Sequence, residues 1–422
     1  MKKTGNILIE NAAQVVTCSG FSAKKGAAMS DLHILENATV AVTDGVISFV
    51  GKSMEKIPFD TAGYTVIDAA GKAVLPGFVD SHTHLVWGGY RAEEFAWRMR
   101  GDSYMSIMER GGGIHNTMEA TRRASFDELK TSALERLGRM MALGVTTVEA
   151  KSGYGMDRET ELRQLEVMQA LQAEHPVDIV STFLGAHSVP KEYKGRADAF
   201  IDYLIAEVMP EVQARGMAEC CDIFCEQGVF DVEQSRCYLL AAREMGFKLK
   251  IHADEIVQLG GAELAVELGA LSADHLLQVS DAGIRDLAES DTVATLLPCT
   301  AFSLREHYAR GREMIDAGCA VAVATDLNPG SSFTSSIPLA FALACNYMKL
   351  SPEEAVTALT INGAAAVGRA DKIGSIDVGK RGDLLVLDFP SYRFLPYHIG
   401  MNIVNTVIKN GIAYSIDKLN KI

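Results

Sequence analysis

The sequence predicts an α/β fold: a (β/α)8 TIM-type barrel with a small discontinuous β-sandwich domain built from both chain ends. Three observations carry this reading. Eight short apolar runs recur through the middle of the chain, at roughly 75–84, 145–151, 178–187, 221–226, 248–254, 271–275, 293–298 and 320–326. Helical patterns separate them. Each end of the chain carries a hairpin signature.

The runs come first. Segments such as "TVATLLP" and "AVAVATD" lack polar alternation, so they suit parallel strands buried on both faces. Between the runs, "RETELRQLEVMQALQAEH" (158–175) places Leu162, Leu165, Met168 and Leu171 on one helical stripe. A second helix is predicted to open at Ser351, with Pro352 in its first turn and Glu354 closing a capping box. Eight alternating units imply a closed barrel whose chemistry sits at the strand C-termini. At the ends, "ATVAVTDGVISFVG" (38–51) and "NTVIKNGIAYS" (405–415) set Asp-Gly and Asn-Gly between β-branched runs, the type I′ hairpin pattern. The expected division is 1–72 and 362–422 for the composite β domain and 73–361 for the barrel.

Composition narrows the function. The 422 residues are 48% hydrophobic and 22% charged, as in an ordinary globular protein. With 54 acidic against 40 basic side chains, the net charge of -14 argues against binding nucleic acid or an anionic membrane through net charge. One well-placed arginine can still hold an anionic substrate. No run reaches the roughly 18 apolar residues of a spanning helix, and Glu10 and Asn11 break the first apolar stretch. The eight cysteines lack C-x-x-C spacing, so reduced core thiols and a cytoplasmic location are expected.

The strand ends carry the chemistry. His82 and His84, in "VLPGFVDSHTH", are two apart and point to one face of an extended chain. The fifth run ends with His252 and the eighth with Asp326. Burying such groups unpaired is costly, so their recurrence at strand ends points to a shared ligand. Three histidines and a carboxylate suit one Zn or Fe with an open position for water. His187, Glu255 and His275 lie at the same rim as spare acid–base groups. Three loops add substrate contacts: Arg91 in "GGYRAEEF", able to grip a carboxylate; Tyr154 in "EAKSGYGM"; and Asn328, Gly330 and Ser331 in "TDLNPGSSF". The glycines of "ERGGGIHN" lack P-loop spacing.

Taken together, these residues resemble the amidohydrolase superfamily of metal-dependent hydrolases over nearly the whole chain. Within it, "YRAEEF", "GGGI", "KSGYG", "FLGAH", "KIHADE", "SADHL" and "TDLNPGSS" are similar, in order, to the members that open an imidazolone ring in histidine degradation. The resemblance implies hydrolysis of the anionic 4-imidazolone-5-propanoate to N-formimidoyl-L-glutamate, with one Zn or Fe per subunit. It implies His82, His84, His252 and Asp326 as ligands. It also implies substrate contacts at Arg91, Tyr154, His187, Glu255, Asn328, Gly330 and Ser331, with Tyr104 joining them. Asp326 or His275 would take the water's proton, and Glu255 would pass a proton to the ring nitrogen. Where many binuclear relatives carry a carboxylated lysine on the fourth strand, this chain has Cys225 and Glu226, which favours one metal over a second held by Glu226. A homodimer is expected. Two other readings compete: a purine or pyrimidine deaminase of the same superfamily, disfavoured by the carboxylate-gripping Arg91, and a non-catalytic scaffold, disfavoured by the intact ligand set.

Overall fold

The computed structural model describes residues 2–101 and 112–416. Eight parallel strands follow one another around a barrel in sequence order: β1 (Phe78–Asp80), β2 (Val145–Lys151), β3 (Asp178–Ala186), β4 (Cys220–Cys225), β5 (Lys248–Ala253), β6 (Ser272–His275), β7 (Val293–Leu296) and β8 (Val321–Val323). Each falls within or beside an apolar run of the sequence. Almost every residue in them is buried, because helices cover one face and packed side chains fill the other. The seam between β1 and β8 is closed past the strand ends. His84 N donates to Leu327 O, Asp326 N donates to His82 O, and Asp80 accepts from Thr325 N and Oγ1. That seam brings two of the candidate ligands side by side.

The helices start where their caps say. Arg158–Glu174 forms with Asp157 accepting from Thr160 N, and Pro352–Leu359 forms with the Ser351–Glu354 capping box in place. Both hairpins are as expected. Asp44 and Gly45 have φ of 50° and 82°, Asn410 and Gly411 φ of 50° and 74°, the left-handed pair that a type I′ turn requires.

The chain ends meet in one mixed eight-stranded sheet. Val404–Lys409 and Ile412–Ser415 pair at one side, and Leu384–Leu387 joins them to Ala73–Pro76, Ile7–Val16, Ile34–Thr43 and Val46–Lys52. Thr65–Asp68 also pairs with Ile7–Val16. The run at 75–84 therefore serves two sheets: Ala73–Pro76 belongs to the mixed sheet, and only Phe78–Asp80 enters the barrel.

Asp178, at the start of β3, locks the two sheets together. Lys2 lies 2.9 Å, Lys409 2.7 Å and Arg381 2.6 Å from its carboxylate. Burial alone would raise its pKa, but these three cations outweigh that and hold it well below the usual range. A depressed carboxylate stabilises the fold above its unfolded pKa of about 3.9, and that contribution is lost as pH falls through the folded value. Asp178→Asn is expected to lower unfolding stability at pH 7 by about 1–3 kcal/mol. The gap to wild type should narrow progressively in denaturant melts as pH falls below about 4. An equal gap at pH 3 and pH 7 would contradict the ion network.

Candidate active site

His252 lies on β5, and His275 is the last residue of β6. His82 and His84 sit just beyond β1, on an extension that keeps strand alternation because Thr83 bridges Leu327. Asp326 lies three residues past β8. All five are buried. Asp326 has φ of 51° and His275 of 79°, left-handed values that non-glycine residues adopt at a cost and that cluster at functional sites.

The geometry suits one ion. His82, His84 and His252 each offer a nitrogen, and these atoms lie within 4.8 Å of one another. Asp326 Oδ1 lies 3.5 Å from His82 Nε2 and 3.6 Å from His84 Nε2. Two ligands about 2.1 Å from a shared tetrahedral ion would be roughly 3.4 Å apart. His82 Nε2, His252 Nε2 and Asp326 Oδ1 are buried without a hydrogen-bond partner among the described residues, the signature of ligand atoms. Burial holds His82 and His84 well below the usual imidazole pKa, so their lone pairs stay free.

Groups behind these atoms orient them, and sequence reasoning missed most of them. Asp274 Oδ2 lies 2.6 Å from His82 Nδ1, Asp222 Oδ2 lies 3.1 Å from His252 Nδ1, and Thr300 Oγ1 donates to Asp326 Oδ2 at 2.5 Å. Such partners fix ligand tautomer and ring orientation. Lys151, fully buried, lies 2.8 Å from Glu149, 2.7 Å from Asp222 and 3.6 Å from Asp274. Burial would discharge it, but Asp222, Glu149 and Asp274 prevail and keep its pKa above the ordinary value. One signal was visible: a lone Asp222 inside the apolar run "CCDIFC".

The rim groups converge as well. The His187 ring stacks on His84 at 4.8 Å between centroids, and its Nδ1 lies 3.0 Å from Gly153 O. Burial, then the neighbouring His252, drives its pKa down to about 3. Tyr154 is buried with its ring 5.5 Å from His84. Glu255 Oε1 is 3.6 Å from His275 Nδ1. Burial, then the charges of Asp326 and Glu226, pushes the Glu255 carboxyl up to about 8. Burial also pushes Asp326 up to about 6.

Arg91 Nε pairs with Glu94 Oε2 at 2.8 Å, and a Cβ on Gly330 would stand 2.2 Å from Arg91 Nη1, so only glycine leaves the guanidinium its place. Asn328 turns inward on its own loop: Oδ1 accepts from Gly330 N and Ser331 N, and Nδ2 donates to Asp326 O and Ser331 Oγ. It shapes the loop behind Asp326. Glu226, the alternative second-metal ligand, is spent on Gln227 N, Ile256 N and Val257 N, where it pins the turn carrying Glu255. Tyr104 lies outside the described residues, as does part of "ERGGGIHN".

The profile of the amidohydrolase family matches residues 73–413. The chain belongs to that family. Among curated relatives, this amidohydrolase is 63% identical over 410 residues to an imidazolonepropionase of Porphyromonas gingivalis, covering 97% of each chain. It is 60% identical over 411 residues to an imidazolonepropionase of Clostridium tetani, covering 97% of this chain and 98% of the relative. Solved structures share the fold. An adenosine deaminase of Xanthomonas campestris with bound zinc superposes with a TM-score of 0.70 at 19% identity, over 99% of this chain and 94% of that one. A molinate hydrolase gives a TM-score of 0.70 at 19% identity, over 100% of this chain and 97% of that one. At such identities the deaminase likeness speaks for the barrel, not for deamination. The histidine cluster of this amidohydrolase can hold a metal ion, and no described helix is long and apolar enough to cross a membrane.

Proposed function

We propose that this chain hydrolyses the cyclic amide of 4-imidazolone-5-propanoate to N-formimidoyl-L-glutamate. The observation that carries the reading is the 63% identity with an imidazolonepropionase over 97% of the chain. The site supports it: a ring of free nitrogens with one carboxylate, a proton-bearing acid beside it, and an arginine at the rim for the propionate.

One divalent ion, Zn or Fe, would be held by His82, His84, His252 and Asp326. Bound there it supplies Lewis acidity, which polarises a carbonyl and makes water a nucleophile near neutral pH. The remaining work falls to the chain. Arg91, oriented by Glu94, grips the propionate with its terminal nitrogens, and the buried Tyr154 ring walls that end of the pocket. His187, neutral and stacked on His84, offers a hydrogen bond to the imidazolone. Asp326 or His275 accepts a proton as the water oxygen adds to the ring carbonyl carbon. Glu255, protonated below about pH 8, gives its proton to the ring nitrogen as the carbon–nitrogen bond breaks. The water oxygen ends in the new carboxylate, and the product leaves as an open-chain formimidoyl compound. Asn328, Gly330 and Ser331 form the loop wall behind the ring. The reading also places the protein in the cytoplasm, as a homodimer, with the barrel beginning at Phe78 and not at the expected residue 73.

The test follows the loss of ring ultraviolet absorbance on incubating metal-loaded protein with 4-imidazolone-5-propanoate, beside ammonia release from a panel of purines and pyrimidines. Turnover of the imidazolone with no ammonia is expected; ammonia from a base with the imidazolone untouched would overturn the reading in favour of a deaminase. Within it, Arg91→Ala is expected to lower kcat/KM by about ten- to a hundredfold through the lost charge-assisted contact, with metal content unchanged. An unaltered kcat/KM would remove Arg91 from the substrate site.

A further inference from the structure

A cavity of about 330 Å³ has none of the candidate ligand residues in its lining. It lies between segment 87–90, which follows β1, and the helices Ile114–Arg123 and Phe126–Ala142. Its depth is cationic. Arg136 is only 8% exposed, donates from Nη1 to Leu85 O at 2.8 Å, and stacks 3.3 Å above the Trp87 ring centroid. No carboxylate forms an ion pair with it among the described residues. Burial draws its pKa down to about 10, and the hydrogen bond to the Tyr90 hydroxyl and the more distant charge of Glu135 only partly offset the loss of water. The neighbouring Trp87 is fully buried, and its Nε1 has no hydrogen-bond partner among the described residues. Glu128 also lines the space, but its carboxylate is bound to Ser125 N and Oγ, closing a capping box. The exposed Arg123 adds a second cation to the lining.

A buried cation, an unsatisfied indole N–H and a partly open volume of ligand size are three separate features, and one occupant would satisfy them all: an anion. We propose that this cavity is a binding site for a small dicarboxylate, with one carboxylate on Arg136 and the Trp87 N–H and the other toward Arg123. Two cations at different depths favour two carboxylates over one. The site is separate from the catalytic ring, so it stands whichever substrate that ring takes.

The test is calorimetric titration of the metal-loaded protein with glutarate, with acetate and inorganic phosphate run in parallel. Because a dicarboxylate could also meet Arg91, four chains are compared: wild type, Arg91→Gln, Arg136→Gln and Trp87→Phe. One glutarate per chain is expected in wild type and in Arg91→Gln. Affinity should fall about tenfold or more in Arg136→Gln, and measurably in Trp87→Phe, which keeps the ring and loses only the donor. Should Arg136→Gln fail to fold, Trp87→Phe and Arg123→Gln decide the matter. Absence of binding in wild type would overturn the proposal and leave Arg136 as an anchor for Leu85. Binding lost in Arg91→Gln but kept in Arg136→Gln would place the anion in the catalytic pocket instead. Phosphate bound in preference to glutarate would overturn the carboxylate assignment.

Discussion

Asp326→Ala loses essentially all turnover, with kcat/KM falling by roughly 10³-fold or more. The expectation rests on where the two carboxylate oxygens sit. Oδ1 faces His82 and His84 at 3.5 and 3.6 Å, and Oδ2 is held by Thr300. The carboxylate is thus the one oxygen ligand in a set of imidazole nitrogens, and it is also a candidate acceptor for the water's proton. Its backbone, at φ of 51°, is held in a costly conformation by the β1–β8 seam rather than chosen by the residue. Removing the side chain takes away a ligand and a base at once. Metal content measured by mass spectrometry should fall with activity; near-normal turnover in this variant would refute the assignment of Asp326.

Glu255→Gln is the second large effect. Glutamine keeps the shape and the ability to hydrogen-bond but cannot give up a proton. A positioned proton donor contributes about 10²–10⁴-fold, and a loss of that order in kcat is expected with KM little changed. The pH profile distinguishes this from simple misplacement. Burial, reinforced by the charges of Asp326 and Glu226, raises the Glu255 pKa to about 8. A raised carboxyl keeps its proton below that value and surrenders it above. Wild-type kcat should therefore fall on the alkaline side near pH 8, and the residual activity of Glu255→Gln should lack that limb. A limb of unchanged position in the variant would assign the titration to another group and strip Glu255 of the donor role.

How much of this the chain reveals before folding differs by element. The barrel was legible because parallel strands buried on both faces leave uninterrupted apolar runs, and "VTTVEAK" became β2 residue for residue. The hairpins were legible because Asp-Gly and Asn-Gly tolerate the positive φ that the turn demands. The split of the run at 75–84 was not, since one apolar stretch looks the same whether it serves one sheet or two. In the site, His82, His84, His252 and Asp326 stood out as polar residues closing apolar strands. The groups behind them did not. Lys151, Asp222 and Asp274 acquire meaning only when three strands place both carboxylates within 4 Å of the Lys151 ammonium, at 2.7 and 3.6 Å. Thr300 is indistinguishable in sequence from any other helix threonine until Asp326 is beside it. Asn328 adds a role that its place in the sequence does not show: its amide holds together the loop behind Asp326.

The central claim is that the histidine–aspartate ring opens an imidazolone by adding water. Turnover of 4-imidazolone-5-propanoate in ¹⁸O-labelled water, read by mass spectrometry of the product, tests it most directly. The account predicts N-formimidoyl-L-glutamate carrying one heavy oxygen in its new carboxylate, and no product once the metal has been stripped by a chelator. An unlabelled product, or full activity in the stripped protein, would contradict it.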